Sequence, residues 1–184
     1  MNLCDIDQIK ALLARHGFRF SKSMGQNFLI QPWVPRDIAC SSGAGSGKGV
    51  LEIGPGIGPL TRELSLLADQ VVSVELDRSL LPILTETLGD RDNVEIVSGD
   101  ILKLDIPSLV RERFQGLEPI ACANLPYNIT TPAITALLDA GCFSSITIMI
   151  QREVARRICA TPGSGDYGAF SVYCQYHAET ELLF

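Results

Sequence analysis

The chain has 184 residues, of which 46% are hydrophobic and 20% charged, and a formal net charge of −6. That composition excludes disorder, collagen-like repeats and coiled coil, and it supplies apolar surface for one core without disulfide or metal staples. No stretch approaches the roughly 18 uncharged apolar residues of a membrane span, and no basic-then-apolar leader opens the chain, so a cytoplasmic protein without a membrane partner is expected.

Asp5 to Arg15 is expected as a helix, with Asp5 as its cap, Gln8 at the capping-box position and Gly17 as its stop. Ile6, Ile9, Leu12 and Leu13 form its apolar face. The stretch Ser21 to Leu29 is too polar early, and too short, for an element of its own. A short helix is expected around Pro35 to Ser41, then a flexible loop of Gly, Ser and Ala to Gly49. From there strands and helices alternate. Strands are expected at Val50–Ile53, Gln70–Glu75, Val94–Ser98, Ile120–Ala123 and Ser145–Ile150. Helices are expected at about Leu60–Ala68, Ser79–Leu88, Thr131–Ala140 and Gln151–Cys159. Pro82 and Pro132 fall in first turns, where a missing N–H does no harm. Such alternation specifies an α/β fold with a doubly wound, mostly parallel sheet.

Charge is unevenly spread. Between Lys10 and Lys48 six cations (Lys10, Arg15, Arg19, Lys22, Arg36, Lys48) face one acid, Asp37, a balance of +5 that leaves −11 elsewhere. The net acidity argues against a chain that wraps nucleic acid, but a basic arm on an acidic body is a different object. A solvated helix face explains the arm equally. Six cysteines occur without a C-x-x-C, with only His16 and His177 beside them. They are expected as reduced, mostly buried thiols, Cys40, Cys122 and Cys174 among them, and no metal site is expected.

Two glycine-rich stretches compete for a ligand. Ser42 to Gly49 precedes a strand and has no Ser or Thr after Lys48, so it cannot place helix-start amides around a phosphate and is a linker. Glu52-Ile53-Gly54-Pro55-Gly56-Ile57-Gly58 lies between the first strand and the helix after it, where Gly54, Gly56 and Gly58 let a ligand approach the backbone. Its G-x-G-x-G spacing differs from the dinucleotide pattern, which favours a cofactor without a pyrophosphate; a purely structural tight turn would use the same glycines. Glu75 ends the second strand, 21 residues after Gly54, where a carboxylate can accept both ribose hydroxyls. Asp100 ends the third strand and can accept from an adenine amino group. Either acid alone would equally serve as a helix cap. Together with the glycines they describe a pocket for an adenosine-containing cationic cofactor, S-adenosylmethionine, and Leu76 and Ile101, which follow the two acids, are counted with it.

The fourth strand runs into Asn124-Leu125-Pro126-Tyr127. An exocyclic amine on an aromatic base is a poor nucleophile because the ring delocalises its lone pair. Two acceptors on its N–H groups favour a pyramidal nitrogen, and the Asn124 side-chain oxygen with a carbonyl at Leu125 or Pro126 can supply them. Pro126 stiffens the turn and Tyr127 offers a face for the base. A plain turn with a packed tyrosine is the alternative.

These residues carry a family resemblance. Gly25-Gln26-Asn27-Phe28-Leu29, the run from Glu52 to Thr61, Val74-Glu75-Leu76-Asp77, Gly99-Asp100, the run from Asn124 to Pro132, and Gln151-Arg152-Glu153-Val154-Ala155 resemble the ribosomal RNA adenine N6,N6-dimethyltransferases, in the family's order. The last of these, with Tyr167-Gly168 through Gln175-Tyr176, is similar to the type that dimethylates two adjacent adenines near the 3′ end of 16S rRNA. The resemblance implies a Rossmann-like fold of S-adenosylmethionine-dependent methyltransferases. It implies that Gln26, Asn27 and Leu29 cover the cofactor, that Gly54 lies under its methionine part, and that Asn124 touches both cofactor and target amine. It also implies that residues 1–48, the basic arm, belong to the catalytic domain and face RNA through Lys10, Arg15, Arg19 and Lys22. Arg152, Arg156 and Arg157 would add phosphate contacts, although a solvated helix face explains them almost as well.

Residues 49–184 would then be the cofactor-binding core. Family members continue into a helical RNA-binding domain, so a chain cut near its sixth strand, lacking that domain, is expected. The function expected is dimethylation of 16S rRNA in the immature small subunit by a monomer, with a role in ribosome biogenesis. A 23S rRNA adenine methylase and a binding-only assembly factor are the alternatives, with a small-molecule methyltransferase further off.

Overall fold

A computed structural model describes residues 1–18 and 29–184. Its sheet has five strands, β1 (Lys48–Ile53), β2 (Gln70–Glu75), β3 (Val94–Ser98), β4 (Glu118–Asn124) and β5 (Ile146–Met149). They lie in the order β3-β2-β1-β4-β5 and every pairing is parallel. Parallel strands require crossovers, and the crossovers cover both faces of the sheet.

Strand alternation decides which helix meets which face. The odd-numbered residues Leu51, Ile53, Ala121 and Ala123, with Val72 and Val74, pack against α5 (Ile106–Arg113), α6 (Thr130–Ala140), α7 (Arg152–Ile158) and α8 (Ala169–His177). Val50, Val71, Ile120 and Cys122 point the other way, onto α2 (Trp33–Ser41) and α3 (Pro59–Ser65). Beside that layer α1 (Ile6–Arg15) packs on α4 (Leu81–Leu88) through Ile9, Leu12, Leu13, Ile83 and Leu84. The strand order reverses direction between β1 and β4, the switch point where the carboxyl ends of open α/β sheets leave a crevice.

The five strands and the expected helices are present, with ends shifted by a few residues. Two helices were not expected. In α5, Asp105 caps by accepting from the Ser108 N–H at 3.2 Å and Pro107 stands in the first turn. The other, α8, docks on the end of α7: Ser171 Oγ donates to the Arg157 carbonyl, and Gln175 Nε2 donates to the Ile158 and Ala160 carbonyls at 2.8 Å. These bonds satisfy carbonyls that a helix end leaves open.

Smaller expectations need correction. Asp5 caps α1 as expected, but Gln8 Oε1 accepts from the Asn2 N–H instead of closing a capping box. Ile6 is exposed, because it lies just outside the stripe that meets α4. Cys40 is exposed as well, on the outer side of α2. The Gly/Ser stretch after α2 is tied down: Ser42 is buried, donates to the Ala39 carbonyl and accepts from the Ala44 N–H. Residues 179–184 form no strand, so a sixth strand does not begin among the described residues. No helix among the described residues is long and apolar enough to cross a membrane.

Candidate active site

The carboxyl ends of β1, β2, β3 and β4 converge on one cleft. Each strand ends in a different device, and each device is set by local sequence. After β1 the chain turns through Gly54 and Gly56 at φ +68° and +62°, a left-handed backbone that side chains resist. The turn is stapled to β2, since the Gly54 N–H donates to the Val74 carbonyl at 2.9 Å.

At the end of β2, Glu75 is 6% exposed and holds its carboxylate on two backbone donors. Oε1 accepts from the Asp77 N–H at 2.8 Å and Oε2 from the Gly56 N–H at 3.3 Å. Burial raises its pKa and the backbone donors pull it back. Each oxygen keeps a second lone pair, so the group is aimed and still able to accept. At the end of β3, Asp100 Oδ1 accepts from the Leu102 N–H at 3.1 Å and Oδ2 lies 3.3 Å from Lys103 Nζ. Asp100 therefore shapes a turn and lines the cleft at once; capping and cleft-lining are not alternatives here.

β4 ends differently. Asn124 lines the cleft, and its side-chain amide makes no hydrogen bond with a described residue. The Leu125 N–H donates to the Met149 carbonyl, which fixes the chain as it leaves the sheet. The Pro126 carbonyl accepts from the Ile129 N–H at 3.1 Å and from Thr130 Oγ1 at 3.2 Å. Of the two carbonyls considered from sequence, that of Pro126 is engaged within the turn and that of Leu125 accepts from no described residue. Tyr127 is 52% exposed at the rim, so its ring is available but does not line the cleft.

Leu29, Gly54, Gly56, Glu75, Leu76, Asp100, Ile101, Asn124, Leu125 and Pro126 all line this one cleft. Gly58 does not: at φ +93° it starts α3 and packs against Leu88, a structural position. Gln26, Asn27, Arg19 and Lys22 lie outside the described residues. Arg15 is paired with Glu86 on α4, with His16 Nε2 also 2.6 Å from that carboxylate. Lys10 is exposed, 3.8 Å from Asp7. Arg152, Arg156 and Arg157 are exposed on α7 and form no ion pair with a described residue. Because β5 pairs with β4, Asn124 beside Met149, and leads into α7, the start of that helix with Arg152 follows the Asn124 strand end, while Arg156 and Arg157 lie in its last turn.

Sequence reasoning missed Glu52, which the cleft borders and which is only 1% exposed. Its signal was present: one carboxylate between Leu51 and Ile53 in an otherwise apolar strand. No cluster of metal-ligating residues occurs among the described residues.

Comparison with known proteins gives a consistent picture. Residues 17–184 match the family model for ribosomal RNA adenine dimethylase. The chain is 45% identical to ribosomal RNA small subunit methyltransferase A of Clostridioides difficile, over 95% of this chain and 61% of that protein. The relative of the same name from Shouchella clausii is 48% identical over 94% of this chain and 59% of its own length. The chain thus spans about three fifths of these relatives. Among solved structures, the 23S rRNA methyltransferase ErmE superposes with a TM-score of 0.65 at 34% identity, covering 80% of this chain and 55% of that one. A dimethyladenosine transferase from Plasmodium falciparum superposes with the same score at 28% identity, covering 77% and 50%.

Proposed function

The chain belongs to the ribosomal RNA adenine dimethylase family, and on that footing we propose that it dimethylates N6 of two adjacent adenines in 16S rRNA, with S-adenosylmethionine as methyl donor. The carrying observation is the cleft's β4 end, where the Asn124 amide and the neighbouring Leu125 carbonyl bond to no described residue.

The residues present fit S-adenosylmethionine. A glycine turn leaves backbone exposed at Gly54 and Gly56, Glu75 presents two aimed acceptors, and Asp100 presents another one strand away. Leu29, Leu76 and Ile101 supply apolar walls for a flat purine. Acid-rich surroundings suit a cation. When bound, the cofactor supplies a methyl group made electrophilic by a sulfonium.

The chain's own part is placement and electrostatics. Glu75 accepts from vicinal hydroxyls while its backbone donors keep the carboxylate from turning. Asn124 Oδ1 and the Leu125 carbonyl accept from the N–H groups of the target amine, two in the first transfer and one in the second, which localises the nitrogen lone pair. Tyr127 at the rim stacks on the adenine, whose removal from its neighbours the exposed ring compensates. No general base is required at the amine, because its proton is acidic once the nitrogen carries the methyl group. Arg152, Arg156 and Arg157 meet phosphates near the target.

The greater likeness to the small-subunit enzymes, 45–48% against 34% for the 23S methyltransferase, supports 16S over 23S rRNA. Incubating the chain with labelled S-adenosylmethionine and either immature 30S particles or 23S rRNA tests the reading. Dimethyladenosine in 16S rRNA is expected. Label in 23S rRNA instead moves the substrate, and particle binding without label leaves a binding-only assembly factor.

A further inference from the structure

Glu52 lies in mid-β1 on the face covered by α3, in register with Ser73 on β2 and Cys122 on β4. Thr61 Oγ1 donates to its Oε2 at 2.7 Å and Ser73 Oγ donates to the same oxygen at 2.6 Å. Oε1 accepts from no described residue, and Glu52 forms part of the wall of the cleft. A carboxylate 99% removed from solvent, with one oxygen held and the other bonded to no described residue beside a cleft, is an unfinished hydrogen-bond site.

Among the described residues its surroundings contain no compensating cation. Glu75 on β2 is an acid, and Cys122 on β4 is a thiol pushed far up by burial and by Glu52. Arg62 on α3 turns away, to the Thr87 carbonyl at 2.7 Å and to Asp90. Lys48 at the far end of β1 is paired with Glu118 at 2.5 Å, and Arg36 and Asp37 of α2 are exposed. Burial, with a small push from Glu75, lifts Glu52 to about 7 against the pull of the two hydroxyls. A structural carboxylate serving only Thr61 and Ser73 would not need to border the cleft.

We infer that Glu52 is a proton switch that reads ligand charge: it is ionised when a sulfonium ligand fills the cleft and protonated when the ligand is the neutral thioether product. The inference rests on the reading of the cleft as an S-adenosylmethionine site. The two ligands differ by one positive charge, and a nearby cation lowers a carboxyl pKa while a neutral ligand does not. Glu52 gives its proton to solvent on donor binding and recovers one from solvent when the charge has gone. The ionised cleft then prefers donor to product, and the preference grows as pH rises through neutrality.

Calorimetry of the whole chain with S-adenosylmethionine and S-adenosylhomocysteine, at pH 6, 7 and 8 in phosphate and in Tris, reads the linked proton directly. Donor affinity should rise about five- to tenfold from pH 6 to 8 with net proton release at pH 7, and thioether affinity should rise less. Glu52→Gln should bind both ligands and lose the Glu52 part of the difference, leaving only the titration of the ligands' own amino groups. Thr61→Val, which removes one donor from Oε2, should move the midpoint of the linkage to higher pH, and it serves if Glu52→Gln does not fold. Identical pH profiles in the native chain and in Glu52→Gln, or an unmoved midpoint in Thr61→Val, overturn the switch alone. Failure of either ligand to bind at any pH overturns the cofactor reading and the switch with it.

Discussion

At the β2–β3 end of the cleft every carboxylate oxygen of Glu75 and Asp100 already has a protein partner, whereas at the β4 end the Asn124 amide and the Leu125 carbonyl have none among the described residues. The first arrangement aims acceptors before a ligand arrives and so limits the entropy lost on binding. The second leaves hydrogen-bonding capacity open, and on the proposed reading a reacting group fills it, where an interaction can favour the transition state over the ground state. On that reading one cleft separates holding from reacting. Glu52, beneath the glycine turn, shares features of both: one oxygen satisfied, one open.

Substitutions at the two ends should therefore fail differently. The largest effect is expected from Asn124→Ala, which should cut single-turnover methyl transfer about 10²–10³-fold while cofactor affinity stays within a few-fold. Near-normal transfer would break the contrast between the ends. Glu52→Gln comes next, read as stability of the ligand-free chain. A buried carboxyl raised from 4.5 to about 7 favours the fold fully below pH 4.5 and loses that contribution as pH rises through 7. Urea unfolding of the native chain should lose about 3 kcal/mol from this group between pH 4.5 and 8, at about 1.36 kcal/mol per unit, and Glu52→Gln should remove that part of the slope. Glu75→Ala should weaken S-adenosylmethionine binding by about 1.5–3 kcal/mol, the worth of hydrogen bonds to a charged group. An unchanged dissociation constant would mean that the ribose sits elsewhere. The smallest change is expected from Thr130→Val, which frees the Pro126 carbonyl of one donor. It should lower stability by about 1 kcal/mol and reduce transfer slightly by loosening the Asn124 turn.

Much of this was legible in residue order because the relevant physics is local. A glycine turn after an apolar strand, acids at successive strand ends and alternating element lengths all leave marks within a few neighbours. The missed helices show the limit. α5 has eight residues and buries only Ile106 and Val110, with Leu109 partly covered, so its apolar signal is too short to stand out. α8 owes its place to carbonyls at the end of α7, some 15 residues earlier. Arg15 illustrates the same limit in charge: it belonged to a basic arm in sequence, yet it is paired with Glu86, 71 residues away.

By itself the sequence determined the parallel α/β class and the placing of Gly54, Glu75, Asp100 and Asn124 at successive strand ends. Those follow from periodicity, backbone freedom and side-chain type, which need no partner. Only the tertiary structure decided that Gly58 serves a helix start, that the Pro126 carbonyl is engaged while that of Leu125 bonds to no described residue, and that Glu52 is buried in the cleft wall with one oxygen bonded and the other without a described partner. Each of these depends on which distant atoms arrive beside a group, and hence on hydrogen-bond partners and burial that packing alone assigns.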